Sequence, residues 1–314
     1  MRADLVYLMT TKLLNLPHLA EMVFGVPHYA TQQTMDAVKA VLLPRIQGTV
    51  TDPVITMALN PDDSPSPEEL QPAGGIAVIP VHGILVPRRG QITAMCTELT
   101  SYERIRSQLH SALNDPSISE IVLDINSGGG LAPGCKELAD YIYQSREMKP
   151  ITAIVNFNAF SAAYFIASAC SKIVASQTSG VGSIGVIMEH LDTSKLEEIM
   201  GVKFTALYRG DNKNNGTSHA ALSESALTMF NKMLDDMYET FTSSVAEYRG
   251  LKQQAVTDTQ AGIYFGADAI SAGLADEVSD PQSAINAIAA KYKQPSQTTS
   301  IKLQAAAMDL QTRM

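Results

Sequence analysis

Cysteine is scarce in this chain, and the few present form no pattern. The 314 residues carry three, Cys96, Cys135 and Cys170, odd in number and far apart. No CxxC pair and no Cys/His cluster with zinc spacing occurs, which excludes a zinc module and a disulfide framework. Buried free thiols in a reducing compartment are expected. Long apolar runs are missing too. The mildly apolar start carries Asp4, and Lys12 and Pro17 follow it. No run reaches the roughly 18 apolar residues of a membrane span, and no clean secretory core is present. A cytoplasmic location with no membrane partner is expected. There is no basic excess: 23 Lys+Arg stand against 32 Asp+Glu, a net charge of −9. No nucleic-acid partner is expected, since that needs a basic face. The fingerprints GxGxxG, GxxxxGK[ST] and GxSxG are all absent. Neither a cofactor nor a metal is expected.

What is present is a soluble-globular composition, 45% hydrophobic and 18% charged, long enough to bury a large core. Residues 1–50 are expected to form an N-terminal arm, with a helix from Thr34 to Leu43 that stops at Pro44. Residues 51–75, with Asp62-Asp63-Ser64-Pro65-Ser66-Pro67, cannot bury a face and are expected to be a linker. The texture then changes over 76–293. Short β-branched runs (Ile76–Val81, Glu120–Ile125, Pro150–Val155) alternate with helical spacings (Thr97–Leu113, Cys135–Arg146, Ser161–Ala169). Strand is also expected over Ile173–Ala175, Val181–Met188 and Lys203–Tyr208. Leu222–Tyr248 predicts one long helix, followed by shorter ones at Gly266–Ser271 and Ser283–Tyr292. The alternation predicts an α/β fold with a mainly parallel sheet covered by helices. Residues 294–314 are a tail.

Three features bear on chemistry. Asn126-Ser127-Gly128-Gly129-Gly130 follows a strand and precedes a helix. Glycines there leave N–H groups free for a phosphate or for the oxyanion of acyl transfer; a plain tight turn explains them equally well. Ser161, in Asn158-Ala159-Phe160-Ser161-Ala162-Ala163-Tyr164, stands at a strand-to-helix junction. It is either a helix N-cap or a nucleophile whose neighbouring amide, Ala162, helps hold an oxyanion. Its base would be a histidine or a lysine made neutral by burial. His190, with Asp192 nearby, is the histidine best placed. Lys213, in the polar turn Arg209-Gly210-Asp211-Asn212-Lys213, is the lysine candidate; by composition alone a solvated surface charge is the stronger reading.

Together these segments resemble the S49 serine peptidases, the signal peptide peptidase A group within the Clp-protease/crotonase-like fold. Ser127-Gly128-Gly129-Gly130 matches that family's Ser-Pro-Gly-Gly turn, and Phe160-Ser161-Ala162-Ala163-Tyr164 matches its nucleophile motif. Val181-Gly182-Ser183-Ile184-Gly185-Val186 and the loop Arg209–Lys213 match two more. Leu14–Ala20 and Tyr264–Glu277 are similar to the head-maturation proteases of lambda-type phages. The resemblance implies Ser161 as nucleophile and Lys213 as general base, with the amides of Ala162, Gly129 and Gly130 lining the oxyanion hole. No histidine stands where the related Clp proteases place theirs; that position is Val186, which favours the Ser–Lys dyad. The implied activity is endopeptidase processing of scaffold, portal or major capsid protein, or of the chain itself, by a homo-oligomer. The alternatives are a cellular signal-peptide-trimming S49 peptidase, a catalytically silent scaffold member of the fold, and a crotonase-like acyl-CoA enzyme. Gly128 stands where the family has Pro, and Ala162 and Ala163 where it has two glycines; a slightly reshaped but working site is expected. Residues 294–314 are expected to begin a scaffold region.

Overall fold

A computed structural model describes residues 23–46, 75–88 and 99–292. The motif Leu14–Ala20, Cys96, nearly all of the linker and the 294–314 tail lie outside the described residues. The main sheet is built on β2 (Ile76–His82), β5 (Glu120–Ser127) and β7 (Ile151–Phe160), side by side and parallel. Their near-continuous apolar sequences fit strands buried on both faces. The ten residues of β7 serve two neighbours. Thr152–Val155 pair with β8 (Lys172–Ala175), and Asn158–Phe160 pair with β9 (Gly180–Gly182). Phe157, with φ 95°, lies between the two sets. β10 (Ile263–Phe265) runs antiparallel to β9, and β11 (Glu277–Val278) runs parallel to β8.

Alternation sends side chains to opposite faces of this sheet. Ile76, Val122, Ile154 and Val174 pack under α9 (Pro281–Tyr292) through Ala284 and Ile288. Ile79, Leu123, Ile125 and Val155 face the larger core. α2 (Tyr102–Asn114), α3 (Cys135–Ser145), α4 (Ala162–Ser168) and the end of α6 (Glu224–Arg249) cover that side. The mainly parallel sheet with helices on both faces is the architecture expected. A small second sheet has the order β1–β6–β3–β4, from β1 (His28–Ala30), β6 (Gly129–Leu131), β3 (Ile84–Val86) and β4 (Leu99–Ser101).

Several boundaries differ from expectation. The arm helix α1 (Gln32–Ile46) runs past Pro44; near a helix end a proline interrupts little of the ladder. The helix expected from Thr97 begins at Tyr102, where Ser101 Oγ accepts the Arg104 amide after β4. The strand expected over Val181–Met188 ends at Gly182, because Gly182 (φ 109°) and Ser183 (φ 55°) turn the chain out of the sheet. Lys203–Tyr208 forms no strand and is exposed. Short α5 (Ser194–Met200), α7 (Gln253–Thr257) and α8 (Gly266–Ser271) complete the described elements. Among the described residues no helix is long and apolar enough to cross a membrane.

Candidate active site

β7 delivers Ser161 to the head of α4. Its backbone is at φ 55°, ψ −117°, a conformation that only a constrained junction holds. The side chain makes no capping hydrogen bond. That separates the two readings left open by the sequence: Ser161 precedes a helix without capping it. Three contacts fix the residue. Its amide donates to the Gly182 carbonyl at 2.8 Å, and its carbonyl accepts the Phe165 amide at 2.8 Å. Its Oγ has the Gly185 carbonyl 3.5 Å away. The segment Gly182–Val186 therefore wraps the serine. Sequence reading identified that segment as a motif but not its contacts, which join residues over 20 positions apart.

The glycine turn lies beside it. A Cβ on Gly129 would fall 3.1 Å from Ser161 Cβ and 2.1 Å from the Tyr29 carbonyl oxygen. A Cβ on Gly130 would fall 1.9 Å from the Leu85 carbonyl oxygen, so β6 passes where no larger residue fits. The Gly129 amide is engaged: it donates to Ser127 Oγ at 3.0 Å. Ser127 Oγ in turn donates to the Gly83 carbonyl at 2.6 Å. The Gly129 amide, expected with that of Gly130 to line an oxyanion hole, is thus bonded within the turn. Ser127, read only as part of a motif, is the staple that shapes the turn. Ala162 and Ala163 are wholly buried, so their methyls pack in the core.

Lys213 lies in the expected polar turn, exposed, with its amide donating to the Gly210 carbonyl at 3.1 Å. The turn packs on the start of α6: Asn215 Nδ2 reaches Ser225 Oγ at 3.4 Å, and Gly216 abuts the Phe230 ring. No hydrogen bond joins Lys213 to Ser161 within the described residues. His190 Nε2 contacts the Ala220 carbonyl at 3.1 Å. Cys135 and Cys170 are free and buried, and burial pushes the Cys170 thiol up to about 12. Among the described residues no group of three His, Cys, Asp or Glu is placed to hold a metal.

Fold and site together define a mainly parallel α/β protein with a strained, uncapped serine between a glycine turn and a second glycine-bearing loop. Residues 143–294 match the model of Peptidase family S49. The chain is 34% identical over 297 residues to capsid assembly protease C of Escherichia phage lambda, covering 88% of this chain and 66% of that protein. It is 40% identical over 215 residues to head-tail preconnector protein GP5 of Enterobacteria phage P21, covering 68% and 43%. The chain thus spans less than two thirds of either relative. Among solved structures, a mutant of the 1510-N membrane-bound stomatin-specific protease superposes with a TM-score of 0.42 at 14% identity, over 67% of this chain and 83% of that one. The chain carries an S49 peptidase domain.

Proposed function

We propose that this chain is a serine endopeptidase of phage head assembly, with Ser161 as nucleophile and Lys213 as general base. The observation that carries the reading is the backbone of Ser161, strained and uncapped beside Gly129 of the glycine turn. Strain of this kind clusters at functional sites. Ser161 Oγ adds to a peptide carbonyl carbon while Lys213 takes its proton, and the lysine then protonates the leaving amine. The resulting ester is hydrolysed by water. The amides of Gly130 and Ala162 hold the oxyanion.

Lys213 needs to be brought to Ser161 and taken out of water, and a neighbouring copy of the chain supplies both in this reading. Exposed apolar side chains support self-association: Ile199, Phe204 and Leu207, the last 92% exposed, and Phe157, Ile263 and Phe265. Ring assemblies join two different surfaces head to tail. The substrates are capsid proteins (scaffold, portal or major capsid protein) or the chain itself, in the host cytoplasm. The relatives named for capsid assembly and head–tail connection support that class.

Co-expression with a candidate capsid protein tests the reading. Ser161→Ala is expected to abolish cleavage, and Lys213→Ala to reduce it by about 10²–10⁴-fold. Normal cleavage by both variants would remove the dyad.

A further inference from the structure

A strand of this same chain runs past Ser161. Pro27–Thr31 lies between the glycine strand β6 and the loop that follows β9. On the β6 side the pairing is antiparallel, with Tyr29 opposite Gly130. The Thr31 amide donates to the Gly128 carbonyl at 3.1 Å, and the Ala132 amide to the Pro27 carbonyl at 3.2 Å. These bonds lie two residues either side of the Tyr29–Gly130 pair. By the alternation of an antiparallel ladder, that pair is hydrogen-bonded too, and the Gly130 amide faces the Tyr29 carbonyl. On the other side, His28 and Ile187 exchange both backbone bonds, at 2.8 and 3.0 Å. Lys39 of α1 clamps the arm further through Glu189, at 2.7 Å.

The side chain of Tyr29 is 3% exposed. Its ring packs on Phe241 (centroids 4.8 Å apart) and Phe165 (5.7 Å). Its hydroxyl donates to the Met237 carbonyl at 2.9 Å. The ring thus sits among aromatic side chains with one polar acceptor at its hydroxyl end, surroundings suited to tyrosine or phenylalanine. The Tyr29 backbone passes close to the serine: the virtual Gly129 Cβ lies 2.1 Å from the Tyr29 carbonyl oxygen, 3.0 Å from Ala30 Cα and 3.1 Å from Ser161 Cβ.

We propose that Pro27–Thr31 is an intramolecular first substrate, that Tyr29 occupies the specificity pocket, and that the Tyr29–Ala30 bond is the one presented to Ser161. This rests on the endopeptidase reading above. Ser161 Oγ bonds to the Tyr29 carbonyl carbon, and the bond to the Ala30 nitrogen breaks. The hydroxyl proton passes through the base to that nitrogen, leaving Ala30 with a free amine. Water then hydrolyses the ester, leaving Tyr29 with a carboxylate and Ser161 with its proton restored. Until this cut the strand blocks the site; after it, residues up to Tyr29 leave and other chains with a large aromatic residue enter.

The test is intact mass and N-terminal sequencing of the purified full chain over time, beside Ser161→Ala. The expected product begins at Ala30, is absent in Ser161→Ala, and precedes cleavage of any second protein. Tyr29→Phe is expected to cut within a few-fold of the parent, and Tyr29→Asp at least tenfold slower. Tyr29 is part of the core, so peptides spanning Val26–Gln33 are also offered to the parent chain. Those with Tyr or Phe at position 29 should be cut after that residue, and the Asp peptide should not. Labelling of Ser161 by a fluorophosphonate separates the two levels of failure. If Ser161 labels, or another protein is cut, while Tyr29–Ala30 stays intact and the peptides are not distinguished, this inference falls and the peptidase reading stands. If nothing labels and nothing is cut, both fall.

Discussion

The backbone amide of Ser161 donates to the carbonyl of Gly182 at 2.8 Å, tying the head of α4 to the end of β9. The bond holds the serine where β7, the glycine turn and the Gly182–Val186 loop meet. The loop can take this course only because Gly182 sits at φ 109°, with the Gly262 carbonyl oxygen 2.6 Å from where a Cβ would lie.

Gly182→Ala is therefore expected to cost about 1–3 kcal/mol of stability and to displace Ser161. The denaturant midpoint and the rate of fluorophosphonate labelling should fall together. A variant that is less stable but labels at the parent rate would show that Ser161 is held by other contacts.

Ser127 predicts a different split. Ser127→Ala leaves the Gly129 amide and the Gly83 carbonyl without their shared partner, a loss of about 1–3 kcal/mol for buried groups. With the turn loosened, Gly130, the proposed oxyanion donor, is displaced. The expected kinetic result is a fall in kcat with little change in KM. Cleavage kinetics on a peptide substrate read this directly.

Phe165 and Phe241 stack with centroids 4.4 Å apart and planes within 6°. Both are fully buried. Phe241→Ala should cost about 3–5 kcal/mol by opening a cavity against α4. Phe241→Leu should cost much less, as a smaller change in volume. Thermal or urea unfolding of the two variants distinguishes a packing role from any other.

Asp276 is one carboxyl through which pH acts on stability. Burial opposes its ionisation, but the paired bonds from Arg249 (2.6 and 2.9 Å) and the Ile173 amide outweigh that and hold its carboxyl below the usual range. A depressed carboxyl stabilises the fold above its unfolded value, about 3.9, and that contribution is lost as pH falls through the lower folded value. Asp276→Asn should lower stability at pH 7 and flatten the loss of stability as pH falls below about 4. Acid titration of the unfolding midpoint is the measurement. An unchanged acid slope would assign the pH dependence to other carboxylates.

Much of the fold was legible because its signals are local. β-branched runs marked β2, β5, β7 and β8, and the three-to-four spacing of Leu222, Ala226, Met229 and Met233 marked α6. The errors fall where distant chain segments decide. The Val181–Met188 run looked like one strand, but positive φ at Gly182 and Ser183 breaks it to enclose Ser161. Lys203–Tyr208 is apolar enough for a strand, yet it finds no partner strand among the described residues.

The same division holds at the site. Residue order alone identified Ser161, Lys213 and the glycine run as candidates, because chemistry is limited by side-chain type and a motif keeps short spacing. It left Ser161 divided between N-cap and nucleophile, and left the glycines unassigned. Those questions depend on φ/ψ and on hydrogen bonds between residues far apart in the chain, which no local pattern carries. Only the packed structure shows Ser161 strained and uncapped, the Gly129 amide held by Ser127, and Tyr29 of the N-terminal arm lodged behind the serine, over 130 residues away in sequence.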